Sequence, residues 1–290
     1  MEQLRNGKPV IVDFHTHIFP EWLRAERGVY AMRDQTFGAL YGDGKAFMPT
    51  AEDLIAVMDE DGVDAAVVIG LGWTDYELAK SVNDYALESM RAWPGRLYAF
   101  AGVNPSWGDR AVDETIRCAE AGMRGIGELH PDTQGYDLGD RSTMQDLMHA
   151  VTERGLIVAT HASEPVGHLY QGKGKTTPDV LMRFIGNFPD ATIVCAHWGG
   201  GLPFYALMPE VAAACANVYF DSAASPYLYD RRVFEIAARL VGHEKLLMGS
   251  DYGLIRPRRL LRQIDRAGLS QEAADAIKGG NAARLLGIAG

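Results

Sequence analysis

Short apolar runs separated by longer amphipathic stretches recur from one end of the chain to the other. Eight are legible, at 10–14, 65–69, 97–103, 125–129, 157–161, 192–197, 218–221 and 246–249. Their lengths, and their lack of polar alternation, are those of strands buried on both faces of a parallel sheet. The stretches between them carry helical periodicity. In 76–93, Leu78, Val82, Tyr85, Ala86 and Met90 fall on one face, and Pro94-Gly95 stops the helix. Similar patterns predict helices over 50–60, 109–121, 144–154, 178–187, 202–214, 229–241, 256–267 and 271–286. Eight strand–helix units without a break in composition predict a closed (β/α)8 TIM barrel, a single α/β domain over 1–290, rather than an open sheet.

Composition narrows the partners. A chain of 290 residues with 47% hydrophobic and 23% charged residues has ample material for one large core. Its net charge of -10 would repel a phosphate backbone, so nucleic acid is not an expected partner. No apolar stretch is long enough to span a membrane, and residues 1–8 are polar, without the apolar run of a secretory signal. The expectation is a cytoplasmic enzyme with a small-molecule substrate, and a homo-oligomer is compatible with it. Cys118, Cys195 and Cys215 are widely spaced and form no Cys-x-x-Cys pair, which reads as buried reduced thiols.

Two connections are long, 18–49 after the first strand and 162–177 after the fifth. In a barrel, the loops that follow strands form the active-site face. The first loop carries Arg24, Arg27, Tyr30, Arg33, Phe37, Tyr41, Lys45 and Phe47. The insertion 18–49 is therefore expected to act as a lid, with 21–48 lying over the strand C-terminal ends; a simple packing flap is the alternative.

Chemistry concentrates at the strand ends. The first ends in Asp13-Phe14-His15-Thr16-His17, where alternation places His15 and His17 on one face. Others end at Glu128-Leu129-His130, Thr160-His161, Ala196-His197-Trp198 and Ser250-Asp251-Tyr252. From His17 to Glu128 is 111 residues, to His161 a further 33, to His197 a further 36, and to Asp251 a further 54, so these groups recur at one phase of the repeat. Burying so many ionisable groups at an apolar barrel mouth would cost several kcal/mol per charge, at roughly the scale of an uncompensated ion, unless a cation offsets it.

These motifs, with the closing Asn281-Ala282-Ala283-Arg284-Leu285-Leu286-Gly287 helix, resemble the amidohydrolase superfamily, in the branch that includes aminocarboxymuconate semialdehyde decarboxylase and related aromatic-acid decarboxylases. The resemblance implies that His15, His17, His161 and Asp251 ligate a metal. It makes His197 a catalytic acid/base or a ligand of a second metal. It also aligns Glu128 with the bridging carboxylate of two-metal members, since no lysine stands at that strand end. Nitrogen and oxygen donors without thiolate suit one or two Zn²⁺ ions, with Mn²⁺ or another divalent ion open.

The expected function is hydrolysis of an amide, ester or lactone by a metal-activated water, with Asp251 and His197 catalytic. The alternative is a non-oxidative decarboxylase of an aromatic or unsaturated acid. Glu128 weighs toward hydrolysis, because its negative charge would oppose an anionic acid beside a single metal. Arg33, Trp73, Asn104, His130, Trp198 and Tyr252, all after strand ends, are the candidate substrate contacts. His168 in the second long loop is a weaker one, and His149 and His243 read as surface or capping residues.

Overall fold

The computed structural model describes residues 9–288, so the polar stretch 1–8 lies outside the described residues. Eight parallel strands follow one another in chain order around a (β/α)8 barrel. They are β1 (Val12–Thr16), β2 (Ala65–Val68), β3 (Leu97–Ala101), β4 (Gly125–Leu129), β5 (Ile157–Thr160), β6 (Thr192–Cys195), β7 (Val218–Asp221) and β8 (Leu246–Leu247). Between β8 and β1 the seam is closed by main-chain bonds from the segment after β8. Phe14 N donates to Met248 O (2.8 Å), Asp251 N to His15 O (2.8 Å) and His17 N to Tyr252 O (2.9 Å).

Two layers of apolar contact hold the barrel. Val12, Phe14, Val67, Phe100, Ile157, Val194 and Leu247 form one cluster; they come from strands that are not all neighbours, so they meet inside the barrel, joined by Ala282 and Leu286 of the closing helix. The outward strand residues, such as Val68, Ile126, Val158, Ile193 and Phe220, pack against the helices through Leu54, Leu87, Cys118, Leu147 and Phe184. Cys118, Cys195 and Cys215 are buried free thiols.

The helices stop where local chemistry dictates. Thr50 and Asp53 form a reciprocal cap at the start of Ala51–Asp61, and Gly62 ends it in the left-handed conformation. The helix expected over 202–214 is instead a 3-10 turn, Leu202–Tyr205, and a short helix, Pro209–Ala214, because Pro209 has no N–H to continue the ladder. The helix expected over 271–286 is interrupted by a π segment at Ala276–Gly280. There Gly279 passes so close to the first strand that a Cβ would lie 2.2 Å from Val10 O.

The insertion 18–49 folds as three short helices, Glu21–Ala25, Arg27–Arg33 and Gln35–Tyr41. Phe19, Leu23, Phe37 and Met48 pack with Leu71, Trp73 and Leu78 in a core of their own. Buried Asp34 fixes the base, accepting from the N–H groups of Phe37 (2.8 Å), Thr74 (2.7 Å) and Asp75 (2.8 Å). The tip reaches the second long loop, where Gln171 Nε2 donates to Ala39 O (2.7 Å) and Leu40 O (3.2 Å). The two loops therefore meet over the strand C-terminal ends.

Candidate metal centre

Alternation alone would set Phe14 opposite His15. In the structure Phe14 fills the barrel, and His15 and His17 both still reach its mouth. The ladder from β1 to β2 changes register between Asp13 and Thr16, which turns the strand end. His15 Nε2 and His17 Nε2 then face each other at 3.2 Å. Each ring is fixed from behind: His15 Nδ1 lies 2.8 Å from Asp221 Oδ2, and His17 Nδ1 lies 3.0 Å from Ile69 O. Both back contacts are acceptors, so both rings carry hydrogen at Nδ1 and turn lone pairs toward each other.

His197 repeats the pattern. Its Nδ1 is 3.2 Å from Ala223 O and its Nε2 3.3 Å from Glu128 Oε1. His161 is reversed, with Nδ1 2.9 Å from Glu128 Oε1 and Nε2 3.2 Å from Ser163 Oγ. Glu128 stands at the centre, its other oxygen 3.6 Å from His15 Nε2 and 4.0 Å from His17 Nε2. Asp251 Oδ1 lies 3.5 Å from His17 Nε2. Two groups result, His15 with His17 and Asp251, and Glu128 with His161 and His197, and within each the donor atoms lie within 4.8 Å of one another. Imidazole lone pairs aimed at one another and at carboxylates repel unless a cation or protons lie between them. The donor set and the back-contacts therefore fit a divalent metal held by nitrogen and oxygen.

The charge balance points the same way. Burial opposes charge on His15, but Asp221 and Glu128 outweigh it and raise its pKa well above the usual imidazole value. Burial likewise opposes charge on His197, yet Glu128 carries it up to about 9. Burial would raise Glu128, and the surrounding imidazoles instead hold it well below the carboxylate range. Asp251 is lowered too: burial again works against this and His17 for it. The cluster thus attracts positive charge, whether as protons or as metal.

Backbone geometry places these groups. Gly127, at φ 118°, brings β4 so close to β5 that a Cβ would stand 2.1 Å from Ala159 O. After β6 the chain runs left-handed through His197 (φ 54°) and Trp198 (φ 60°), which lifts the His197 ring into the mouth. Asp221, a residue to which the sequence reading gave no role, anchors this turn: its Oδ1 accepts from His197 N (3.0 Å) and Ala223 N (2.9 Å) while its Oδ2 holds His15. Its signal was a carboxylate at the end of an apolar strand, in phase with the others. Asp13 does the same for the Asp251 turn, accepting from Ser250 N (2.8 Å) and Ser250 Oγ (2.5 Å). Burial pushes the Asp13 carboxyl up to about 7, against those hydrogen bonds.

A cavity of about 590 Å³ opens above the cluster, with His17, Glu128, His161, His197 and Asp251 in its floor. Tyr41, Phe47, Leu71, Leu228 and Leu254 are among its walls. His130 lines it with its ring stacked on His161, centroids 3.9 Å apart, and burial together with His161 drives its pKa well down, so it is neutral. His168 also reaches it.

The remaining candidate substrate contacts lie outside this cavity. Arg33 is taken by Asp75, at 2.5 and 3.1 Å, at the start of the helix Tyr76–Ala92. Trp73 is fully buried under the insertion, stacked on Phe37 at 5.8 Å. Asn104 caps the turn after β3, its Oδ1 accepting from Ser106 N (3.0 Å). Trp198 packs edge-on against Phe234 and donates to Ser225 Oγ (3.1 Å). The Tyr252 hydroxyl points to Asp53 O at 3.5 Å, behind the mouth. His149 is a surface residue beside Glu153, 3.3 Å away.

Comparison with known proteins agrees with this architecture. No curated protein matches the sequence significantly. Among solved structures, 5-carboxyvanillate decarboxylase from Sphingomonas paucimobilis superposes with a TM-score of 0.78 at 16% identity, covering 97% of this chain and 100% of that one. The 2,6-dihydroxybenzoate decarboxylase from Rhizobium gives 0.74 at 17%, over 98% and 100%. The dihydroxybenzoic acid decarboxylase from Polaromonas sp. JS666, solved with bound manganese, gives 0.73 at 16%, over 97% and 98%. At these identities the likeness shows the shared fold. The family model described as amidohydrolase matches residues 12–288, from β1 through the closing helix, and the chain belongs to that family.

Proposed function

We propose that the protein is a metal-dependent, non-oxidative decarboxylase of a small aromatic or unsaturated acid. The observation that carries this reading is the end-to-end likeness to decarboxylases of hydroxylated benzoic acids. The cavity supports it, since aromatic and aliphatic walls stand over a polar, metal-competent floor, a shape suited to a flat acid standing on its carboxylate. Glu128 does not by itself favour hydrolysis, because its carboxylate is engaged by His161 Nδ1 at 2.9 Å and His197 Nε2 at 3.3 Å instead of standing free toward an anionic acid.

His15, His17, Glu128, His161, His197 and Asp251, or a subset of them, would hold a divalent cation, which would supply Lewis acidity and an anchor for the acid's oxygens. Manganese, as in the Polaromonas structure, and zinc both suit the donors. In the reaction the bond to the carboxyl carbon breaks, its electron pair stays on the substrate carbon, and a proton takes the vacated place as CO2 leaves. Asp251, in the cavity floor beside His17, is the carboxylate we assign to carry that proton from solvent to the substrate carbon. His197, its Nδ1 tied to Ala223 O, directs Nε2 to the substrate's polar end. His130 offers a neutral donor and acceptor beside the ring, and Tyr41, which burial keeps protonated with Asp251 and Glu128 nearby, offers a hydroxyl.

One observation favours a second reading, hydrolysis of an amide, ester or lactone: each Glu128 oxygen faces a different pair of histidines, as a carboxylate bridging two ions would. Turnover of hits from a screen of aromatic acids, amides and lactones, run in D2O and in ¹⁸O-water, separates the two. CO2 release with deuterium on the product carbon is expected. Label in a newly formed carboxylate, without CO2, would assign hydrolysis.

A further inference from the structure

On the outer flank of the barrel mouth lies a second hollow, of about 570 Å³, between the segment after β7 and the helix Pro257–Asp265. Six of the ten residues lining it are arginines: Arg231, Arg256, Arg258, Arg259, Arg262 and Arg266. In a chain of net charge -10 this concentration is against the general trend. Arg256 is neutralised by Glu60 (2.7 Å) and Asp61 (2.6 Å), and Arg258 lies 4.0 Å from Asp61. Among the described residues the other four make no salt bridge to a carboxylate. Arg231 donates to the Arg266 carbonyl (2.9 Å), and its neighbour Asp230 is engaged by Arg232 (2.8 Å). Arg259 lies over the Tyr227 ring, 4.8 Å from its centroid. On the same wall, Gln263 has a buried side-chain oxygen without a hydrogen-bond partner.

Like charges gathered in a concave, partly apolar hollow focus a positive potential, and guanidinium groups bind phosphate bidentately. Four guanidiniums without a carboxylate partner call for more than one negative group, and the unmet acceptor of Gln263 on the same wall calls for a hydroxyl or amine donor. We propose that this hollow is a binding site for a phosphorylated, hydroxyl-bearing small molecule of nucleotide size. It is separate from the metal centre, and Leu254 lines both cavities. That residue belongs to the Asp251 turn, its N–H donating to Asp251 O (2.7 Å), so an occupant would press on the turn that carries a metal-competent carboxylate.

The test is calorimetric titration of the metal-loaded full-length protein with inorganic pyrophosphate, ADP and adenosine, repeated on Arg262→Ser/Arg266→Ser. Both side chains are exposed and free of ion pairs among the described residues, so folding is not at stake; Arg239→Ser, paired with Glu235 on another helix, is the control. Saturable binding of one pyrophosphate or one ADP per chain is expected, ADP at least as tightly, with adenosine inert and added salt weakening both. The double variant should bind each at least tenfold more weakly and the control unchanged. Binding that survives the double substitution would place the phosphate on the metal and overturn the proposal, as would no saturable binding at all. Binding of pyrophosphate without ADP would overturn the ligand class. A change of oligomeric state in the double variant, with no effect of anions on the parent, would make the hollow a contact between copies and overturn it too.

Discussion

Asp221 does not line the cavity, yet it sets two of the candidate metal ligands, His197 in the cavity floor and His15 behind it. One oxygen holds the His15 ring in the tautomer that leaves Nε2 free, and the other ties down the left-handed turn that presents His197. Replacing such a back-contact lowers metal affinity by roughly 10–100-fold in metal sites generally. Asp221→Asn is therefore expected to fall in that range in a competitive metal titration while the fold, read by far-ultraviolet circular dichroism, is retained. Asp251→Asn should behave differently. An amide cannot carry the transferred proton, so turnover should fall by at least about 100-fold, the low end for general acid–base catalysis, in protein reloaded to full metal content. Equal turnover at equal metal content would remove Asp251 from the proton path. At this scale the sequence was informative in a specific way: His15, His17, Glu128, His161, His197 and Asp251 stood at one phase of the repeat because a barrel brings strand ends to one rim, and the structure gathers all six in the cavity floor or directly behind it. Asp221 shares that phase, but a carboxylate contacting an imidazole from behind leaves the same trace in sequence as one contacting solvent.

Elements show where sequence reading stops. The strands were legible because burial on both faces leaves an unbroken apolar run, and most helices because their faces repeat. Arg33, Trp73, Asn104, Trp198 and Tyr252 stand outside the cavity for a common reason: each follows a strand end, and whether such a residue turns into the cavity or away from it depends on the path of the loop, which is set by distant partners such as Asp75, Phe37 and Phe234. The break at Pro209 and the π segment at Ala276–Gly280 likewise arise from packing that periodicity does not record. Gly127→Ala should destabilise the protein by at least about 2 kcal/mol, since it adds a backbone conformation costly for an L-residue to a Cβ overlapping Ala159 O, and a lower denaturant midpoint would report it. Asp34→Ala should free the insertion without disturbing the metal centre. It removes a buried acceptor of three main-chain N–H groups, so limited proteolysis should cut within 21–48 and KM should rise, with metal content unchanged.

Across the whole molecule, charge couples metal to pH. His197 has its pKa raised to about 9 by Glu128, so in metal-free protein its contribution to stability is fully present below the ordinary imidazole value, near 6.5, and is lost as pH rises through about 9. His15, raised by Asp221 and Glu128, contributes with the same sign. Metal held by these imidazoles would displace their protons, so its affinity is expected to rise with pH over the same interval. The difference in Tm between metal-loaded and chelator-treated protein should therefore widen from about pH 6.5 to about pH 9, and a constant or narrowing difference would show that the imidazoles are not the groups the metal displaces. The seam between β8 and β1 gives this coupling a spatial direction. The main-chain bonds that shut the ring there are donated by Phe14, His17 and Asp251, so two of the three residues that close the barrel also carry its metal-competent groups. Removing the ion should loosen the clasp before the rest of the ring. In hydrogen exchange the amides of His17 and Asp251 should gain deuterium early on chelation, while those of β5 and β6, on the far side, stay protected until the molecule opens as a whole.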